Sequence, residues 1–283
     1  MSKREISAEK IELLVEELCT KANTEIREDV KDALDAAYSS EDEGSISEKM
    51  IKVLQDNAHV AKDEKLPLCQ DTGMVGVFIE MGDDVVINDG GINEAVNLGV
   101  ERAYRDNFFR KSVVADPLTR ENTGTNTPAI IHIDMVEGDK IKISVMPKGF
   151  GSENKGQIKM FNPTAGRDEI VNFCVETVKA AGPDACPPYV LGIGIGGTME
   201  YAAFMSKKSL LRQIDQSSPK PHVAEMEHLI KDGANVLNVG VMGLGGKVTV
   251  LGVNIETFPT HIAGLPVAVN ICCHALRSAT GVI

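Results

Sequence analysis

The stretch Leu66-Pro67-Leu68-Cys69-Gln70-Asp71-Thr72-Gly73 sets a thiol, an amide and a carboxylate side by side. Pro67 precedes them, Gly73 follows, and the apolar run 74–81 comes next. Proline and glycine punctuate turns, so the polar residues belong on a loop that feeds a strand. A core would not take Gln-Asp-Thr in succession, because a buried polar group needs a partner. A tight loop beside a rigid strand is a good place to present such side chains.

Two other cysteine loops echo this one. Gly182-Pro183-Asp184-Ala185-Cys186-Pro187-Pro188-Tyr189 runs into the strand-like segment 190–195. Leu265-Pro266-Val267-Ala268-Val269-Asn270-Ile271-Cys272-Cys273-His274 lies close to the C-terminus. Three proline-bearing loops, each with cysteine, predict one site gathered by folding.

The length of 283 residues suits one large domain or two ordinary ones. The apolar fraction of 43% and charged fraction of 25% are those of a globular chain. A net charge of −12 argues against nucleic-acid and anionic-membrane partners. An anionic substrate would then need cations concentrated locally. Residues 1–10 are charged and lack the apolar core of a secretion signal. The apolar stretch 236–255 is broken by Gly240, Gly243, Gly245, Gly246 and Gly252, so no membrane span is expected. Six cysteines without a secretion signal read as reduced thiols, and a cytoplasmic location is expected.

Apolar positions Ile11, Leu14, Val15, Leu18 and Ala22 recur at helical spacing and place Cys19 in the core. A second helix is predicted over 28–38. A third starts at Ser45, where Ser45-x-x-Glu48 forms a capping box, and runs to 61. Strands are predicted at 74–81 and 85–87, and a helix from Ile92 to Tyr104. The polar loop 112–128 contains Asn122-Thr123-Gly124-Thr125-Asn126-Thr127, and loops this long are often functional. Segments 129–136 and 140–147 flank Glu137-Gly138-Asp139, which predicts a hairpin and a partly antiparallel sheet. A flexible polar loop is predicted at 148–155, then a helix over 168–181 with Cys174 on its apolar face. Further expectations are a strand at 190–197, helices from 199 and over 222–232, and a strand at 248–256. The whole reads as one interwoven α+β domain, 1–283, with N-terminal helices and a mixed sheet flanked by helices.

Gly192-x-Gly194-x-x-Gly197 spells the dinucleotide fingerprint, but its glycines lie inside a strand pattern rather than after it. Close packing of that strand is the better reading. Gly243-Leu244-Gly245-Gly246-Lys247 hints at a phosphate loop, yet Val241 and Val248 stand where Gly and Ser or Thr are required. A structural zinc site would show Cys-x-x-Cys pairs, and none is present. A metal centre at Cys69, Cys186 and one of the adjacent Cys272 and Cys273 remains, beside a lone catalytic thiol with histidine.

Cys69-Gln70-Asp71-Thr72-Gly73, Asn122-Thr123-Gly124-Thr125-Asn126, Cys186-Pro187-Pro188-Tyr189, Ile195-Gly196-Gly197-Thr198 and His261 with Pro266 and Cys273 occur in matching order along nearly the whole chain. Together they resemble the α subunit of the two-subunit, iron–sulfur class I fumarate hydratase and L-tartrate dehydratase family. The resemblance implies a [4Fe-4S] cluster on Cys69, Cys186 and Cys273, with one iron lacking a protein ligand. It implies substrate contacts at Gln70, Asp71, Arg110 and Gly151, with Phe150 interrupting a run usually richer in glycine. It implies roles for Asp71 and His261 in handling protons. The implied activity interconverts (S)-malate and fumarate, with L-tartrate dehydration as the same-chemistry alternative. A non-catalytic iron–sulfur or zinc scaffold that binds a partner is the alternative of another class. The implied partners are a small dicarboxylate and a separate β subunit carrying the base, in an α2β2 assembly or a homo-oligomer when alone.

Overall fold

The structure, a computed structural model, describes residues 3–283; residues 1 and 2 of the expected 1–283 domain lie outside it. Its helices are α1 (Ala8–Thr24), α2 (Glu28–Ser40), α3 (Ile46–Glu64), α4 (Ile92–Asp106), α5 (Phe150–Glu153), α6 (Arg167–Ala181), α7 (Met199–Lys208) and α8 (Pro221–Asn235). Its strands are β1 (Arg4–Ser7), β2 (Met74–Gly82), β3 (Val85–Asn88), β4 (Ile130–Val136) and β5 (Ile141–Lys148). They continue as β6 (Gln157–Phe161), β7 (Tyr189–Gly196), β8 (Val250–Phe258), β9 (Leu265–Cys272) and β10 (Ala279–Val282). The α+β expectation holds. No described helix is long and apolar enough to cross a membrane.

Two compact units emerge. Among the described residues, the first comprises 3–27, 58–150 and 277–283; the second comprises Glu28–Asn57 and Gly151–Leu276. In the first, α1 and α4 pack on one face of a sheet ordered β10-β5-β2-β4. The Ser7 hydroxyl caps α1 by accepting the Lys10 N–H at 3.4 Å. Ile11, Val15, Leu18 and Cys19 meet Val96, Val100 and Ala103 above Val75, Val77, Ile79, Ile141 and Ile143. Each such aliphatic side chain gains about 1.5–3 kcal/mol on burial.

The hairpin expected around Gly138 does not form. β2 lies between β4 and β5, parallel to β4 and antiparallel to β5. The 137–140 turn is real, but it wraps the end of β2: Gly82 N–H donates to the Lys140 carbonyl at 2.8 Å and Asp83 N–H to Val136 at 2.9 Å. A turn signal reports the local bend and not which strand fills the gap beside it.

In the second unit the sheet is ordered β6-β9-β7-β8. β7 pairs parallel with β8 and antiparallel with β9. The segment read as the third cysteine loop is largely β9, a strand between β6 and β7. Val267, Val269 and Ile271 alternate toward the core made with Cys174 and Val178 of α6 and Val223 and Ile230 of α8. Alternation over a short apolar run signals a strand, and Pro266 masks it. Gly192 and Gly194 of β7 face α7. A Cβ on them would lie 2.0 Å from the Ser206 carbonyl oxygen and 2.1 Å from that of Ala202. The glycine pattern is therefore a helix-packing device, as the sequence reading preferred.

Ser45 does cap α3, accepting the Glu48 N–H at 3.0 Å. The helix runs three residues past its expected end. The 148–155 loop contains the short helix α5. Strands β1, β6 and β10 carried no sequence signal strong enough to predict.

Candidate active site

Loop 69–73 is held from several directions within the first unit. Asp71 accepts the Gly73 N–H through Oδ1 at 3.0 Å and the Phe150 N–H through Oδ2 at 2.9 Å. The Thr72 hydroxyl donates to the Arg110 carbonyl at 2.7 Å. The Tyr104 hydroxyl donates to the Thr72 carbonyl, and burial pushes that phenol's pKa up. Fully buried Asn126 donates to the Gly73 carbonyl at 3.1 Å and accepts the Ser112 and Val113 N–H groups at 2.7 and 3.3 Å. Gly73 has φ +76°, and a Cβ there would lie 2.6 Å from the Lys148 backbone. No other residue meets both conditions without displacing β5.

Arg277 closes this frame. It is buried, donates to the Asp71 carbonyl at 2.8 Å, and reaches Asn23 Oδ1 at 3.3 Å. The backbone of the loop is thereby fixed, while Gln70 remains exposed and Cys69 partly so. Arg110 is tied to the loop by its backbone. Its exposed guanidinium makes no hydrogen bond or ion pair among the described residues. A guanidinium so placed can take a carboxylate in two parallel hydrogen bonds.

In the second unit, Cys186 is exposed and adopts φ +57°, an uncommon backbone state for a residue with a side chain. The segment around it is braced. Tyr189 N–H donates to Thr249 at 2.8 Å, Met242 N–H donates to Pro187 at 2.8 Å, and Lys155 pairs with Asp184 at 2.9 Å. His274 meets the Cys186 carbonyl twice, through its own N–H at 3.4 Å and through Nδ1 at 3.1 Å. This brings the segment carrying Cys273 against the Cys186 loop. His261 is exposed on the segment between β8 and β9, and its Nδ1 accepts the Ala263 N–H at 3.1 Å. That bond leaves Nε2 as the nitrogen available for exchange. Gly151 is exposed and opens this unit's second segment.

The six cysteines separate by accessibility, and no disulfide joins any of them. Cys19, Cys174 and Cys272 are buried, whereas Cys69 and Cys273 are partly exposed and Cys186 fully so. Burial pushes the Cys174 thiol up to about 12 and the Cys19 thiol up as well. Thiols held protonated in a core are poor ligands and poor nucleophiles. Among the described residues, no three His, Cys, Asp or Glu side chains gather as a site for a single ion. A cluster makes a different demand, because each thiolate takes a different iron and the ligands need not converge on one point. Taken one by one, Cys69, Cys186 and Cys273 are the thiols whose donor chemistry and exposure suit such a ligand.

Sequence reasoning passed over Asn126, Arg277 and His274 as individual residues. Asn126 lay in the polar 122–127 run, and His274 follows Cys273 directly, so both had a faint signal. Arg277 had none, because its role depends on a loop about two hundred residues earlier.

Fold and loops together define a class: an α+β protein that displays thiol, carboxylate and guanidinium groups from loops braced against rigid sheets. A model of the fumarate hydratase (Fumerase) family matches residues 12–282. A Methanocaldococcus jannaschii protein named "Putative L(+)-tartrate dehydratase subunit alpha" is 41% identical over 276 residues, covering 95% of this chain and 96% of that one. The Escherichia coli K12 L(+)-tartrate dehydratase subunit alpha is 30% identical over 282 residues, covering 99% of this chain and 92% of its own. The chain belongs to the fumarate hydratase family, a family of hydro-lyases.

Proposed function

We propose that this chain is the α subunit of a two-subunit cytoplasmic hydro-lyase acting on a small 2-hydroxydicarboxylate. The observation that carries the reading is the family match over 12–282, which spans every residue expected at the site. Cys69, Cys186 and Cys273 would hold a [4Fe-4S] cluster, and their accessibility beside three buried cysteines supports that choice. When bound, the cluster supplies a Lewis acid for the hydroxyl group of the substrate.

The chain's own residues supply binding and orientation. Arg110 grips one substrate carboxylate, and Gln70 offers its amide to the hydroxyl or carboxylate oxygens. Asp71, fixed by two N–H groups, sets the position of its loop and accepts a hydrogen bond from the substrate hydroxyl. Gly151 has no side chain to obstruct approach of the substrate to the backbone. His261 exchanges a proton through Nε2. None of these is a convincing base for the C3 proton, so a separate β subunit carries it, together with further carboxylate-binding cations. Loops 69–73, 110–127 and 148–155 face that subunit, which closes and dries the pocket.

(S)-malate and fumarate are the reading that the motifs carry. L-tartrate is the second reading, favoured by the names of the two relatives. Assaying the α chain with its β chain against both acids decides between them, and turnover by the α chain alone overturns the two-subunit reading. Iron analysis of serine variants tests the ligands. Cys69, Cys186 and Cys273 variants should lose the cluster while Cys19, Cys174 and Cys272 variants keep it; full iron in Cys186→Ser sinks the assignment.

A further inference from the structure

β4 is the outer strand of the first unit's sheet, with β2 on one side and, among the described residues, no strand on the other. An outer strand offers a row of backbone N–H and C=O groups, which proteins blunt with lysine, proline or bulges. β4 has no lysine, proline or bulge, and its one charged side chain is Asp134. Its seven residues read Ile130-Ile131-His132-Ile133-Asp134-Met135-Val136. Ile130 is 45% exposed, Ile133 41%, Met135 60% and Val136 39%. Ile133 and Met135 lie on one face of this strand and Ile130 and Val136 on the other, so exposed apolar side chains flank the open backbone row on both sides.

The order of side chains identifies the occupant. Set antiparallel to a second copy of itself, with Ile133 opposite Ile133, the strand places His132 against Asp134 on both sides of the centre. Ile131 then meets Met135, and Ile130 meets Val136. Every apolar residue finds an apolar partner, and each acid finds an imidazole. Slipping by one residue sets His132 or Asp134 against an apolar side chain. Slipping by two sets His132 against His132 or Asp134 against Asp134. Only one register is self-complementary. Phe78, directly beside His132 in the β2–β4 register, stacks on the imidazole with ring centroids 5.2 Å apart and holds it on the strand.

We propose that β4 pairs antiparallel with β4 of a second copy, joining two four-stranded sheets across a two-fold axis. Such an interface is isologous. The inference does not depend on the hydro-lyase reading, which uses other loops for the β subunit. The area of two seven-residue strands falls short of a standard interface of about 1,600 Å², so the dimer should form reversibly with concentration.

Sedimentation velocity of the full α chain over a concentration series should show monomer and dimer exchanging. Ile133→Lys brings two ammonium groups together at the axis and should leave only monomer, with an unchanged circular dichroism spectrum. His132→Asp and Asp134→His each oppose like groups and should weaken the dimer about tenfold. Combining the two restores complementarity in the same register and should restore the dimer. Ile133→Cys should form a covalent dimer on oxidation, because directly opposed residues lie about 4.5–5.5 Å apart at Cα, whereas Val136→Cys should not. A wild-type chain that stays monomeric and an unlinked Ile133→Cys overturn the proposal. So does a dimer that survives Ile133→Lys, or a double swap as weak as the single variants. If Ile133→Lys impairs copurification with the β chain while the wild type alone remains monomeric, β4 belongs to that partner and the proposal is again wrong.

Discussion

The two units each hold a four-stranded mixed sheet, yet they stabilise it by different means. The second unit's sheet carries α6 and α8 on one face and α7 on the other. β7 there approaches α7 so closely that two positions admit only glycine. The first unit packs α1 and α4 on one face, and the other bears polar contacts such as Lys142 with Glu80 at 3.3 Å and Ser144 with Thr280 at 2.9 Å beside buried Phe78 and Met146. Its site loop is kept in place by hydrogen bonds from Tyr104, Asn126 and Arg277 rather than by burial of apolar groups. Packing tolerates almost no added volume, whereas a polar clamp fails when one partner is removed.

The largest effect should come from adding volume where the second sheet has none. Gly194→Val forces a side chain into the Ala202 carbonyl, and overpacking against backbone costs roughly 3 kcal/mol or more. Calorimetry should show unfolding shifted down by about 6–12 degrees or more, or lost entirely. A variant with wild-type stability would break the contrast between the units.

Removing a clamp should cost somewhat less. Asn126→Ala leaves the part-buried Ser112 N–H, the buried Val113 N–H and the Gly73 carbonyl without their partner. Each such orphan costs about 1–3 kcal/mol before water or local shifts relieve it. Denaturant unfolding should show a loss of roughly 2 kcal/mol, and hydrogen exchange should speed up first in loops 69–73 and 112–127. Uniform acceleration over the whole chain would mean that Asn126 does not act on the loop.

Tyr104→Phe is the finer cut, because it deletes only the hydroxyl bonded to Thr72. A loss of about 1 kcal/mol is expected. Arg110→Lys touches neither clamp nor packing. On the proposed function, the variant assembled with the β subunit should keep its iron and melting temperature while lowering kcat/KM by about tenfold or more, because an ammonium cannot match a planar fork. Unchanged kinetics would remove Arg110 from the site.

The smallest effect concerns Lys231 on α8. It lines a cavity of about 200 Å³ walled by Ala33, Ala36, Ala37 and Val250. Burial lowers its pKa below the ordinary 10.5, partly offset by Asp232. The protonated form is therefore less favourable in the fold than in the unfolded chain. That cost is present at every pH below the folded pKa and fades as pH rises through it. Lys231→Met should raise the melting temperature slightly at pH 7, and the gain should shrink toward pH 10.5. A gain that grows with pH would contradict the sign.

Much of this molecule is written locally. Helices such as α1 and α6 follow from apolar spacing, α3 from the Ser45 cap, and β2 from a run bounded by glycine. The three accessible cysteines and the polar 122–127 run were also legible, because motifs of contiguous residues need no knowledge of neighbours. Other features have no local sign. The 137–140 turn reads as a hairpin whether or not β2 occupies the gap. β9 looks like a loop because Pro266 near its start suggests a break, although its remaining residues alternate as a strand.

Residue type and order are enough to settle the helix faces and the turn positions, and to single out the loops that carry the accessible cysteines. These depend on side-chain chemistry and on periods of two and 3.6 residues, all within a short span of chain. Tertiary structure alone decided that β2 separates β4 from β5 and that β9 lies inside a sheet. It also decided that Arg277 and Asn126 hold the Asp71 loop. Each of those outcomes depends on which distant segment fills a given space or satisfies a given hydrogen bond, and many sequences with the same local pattern could fill it differently.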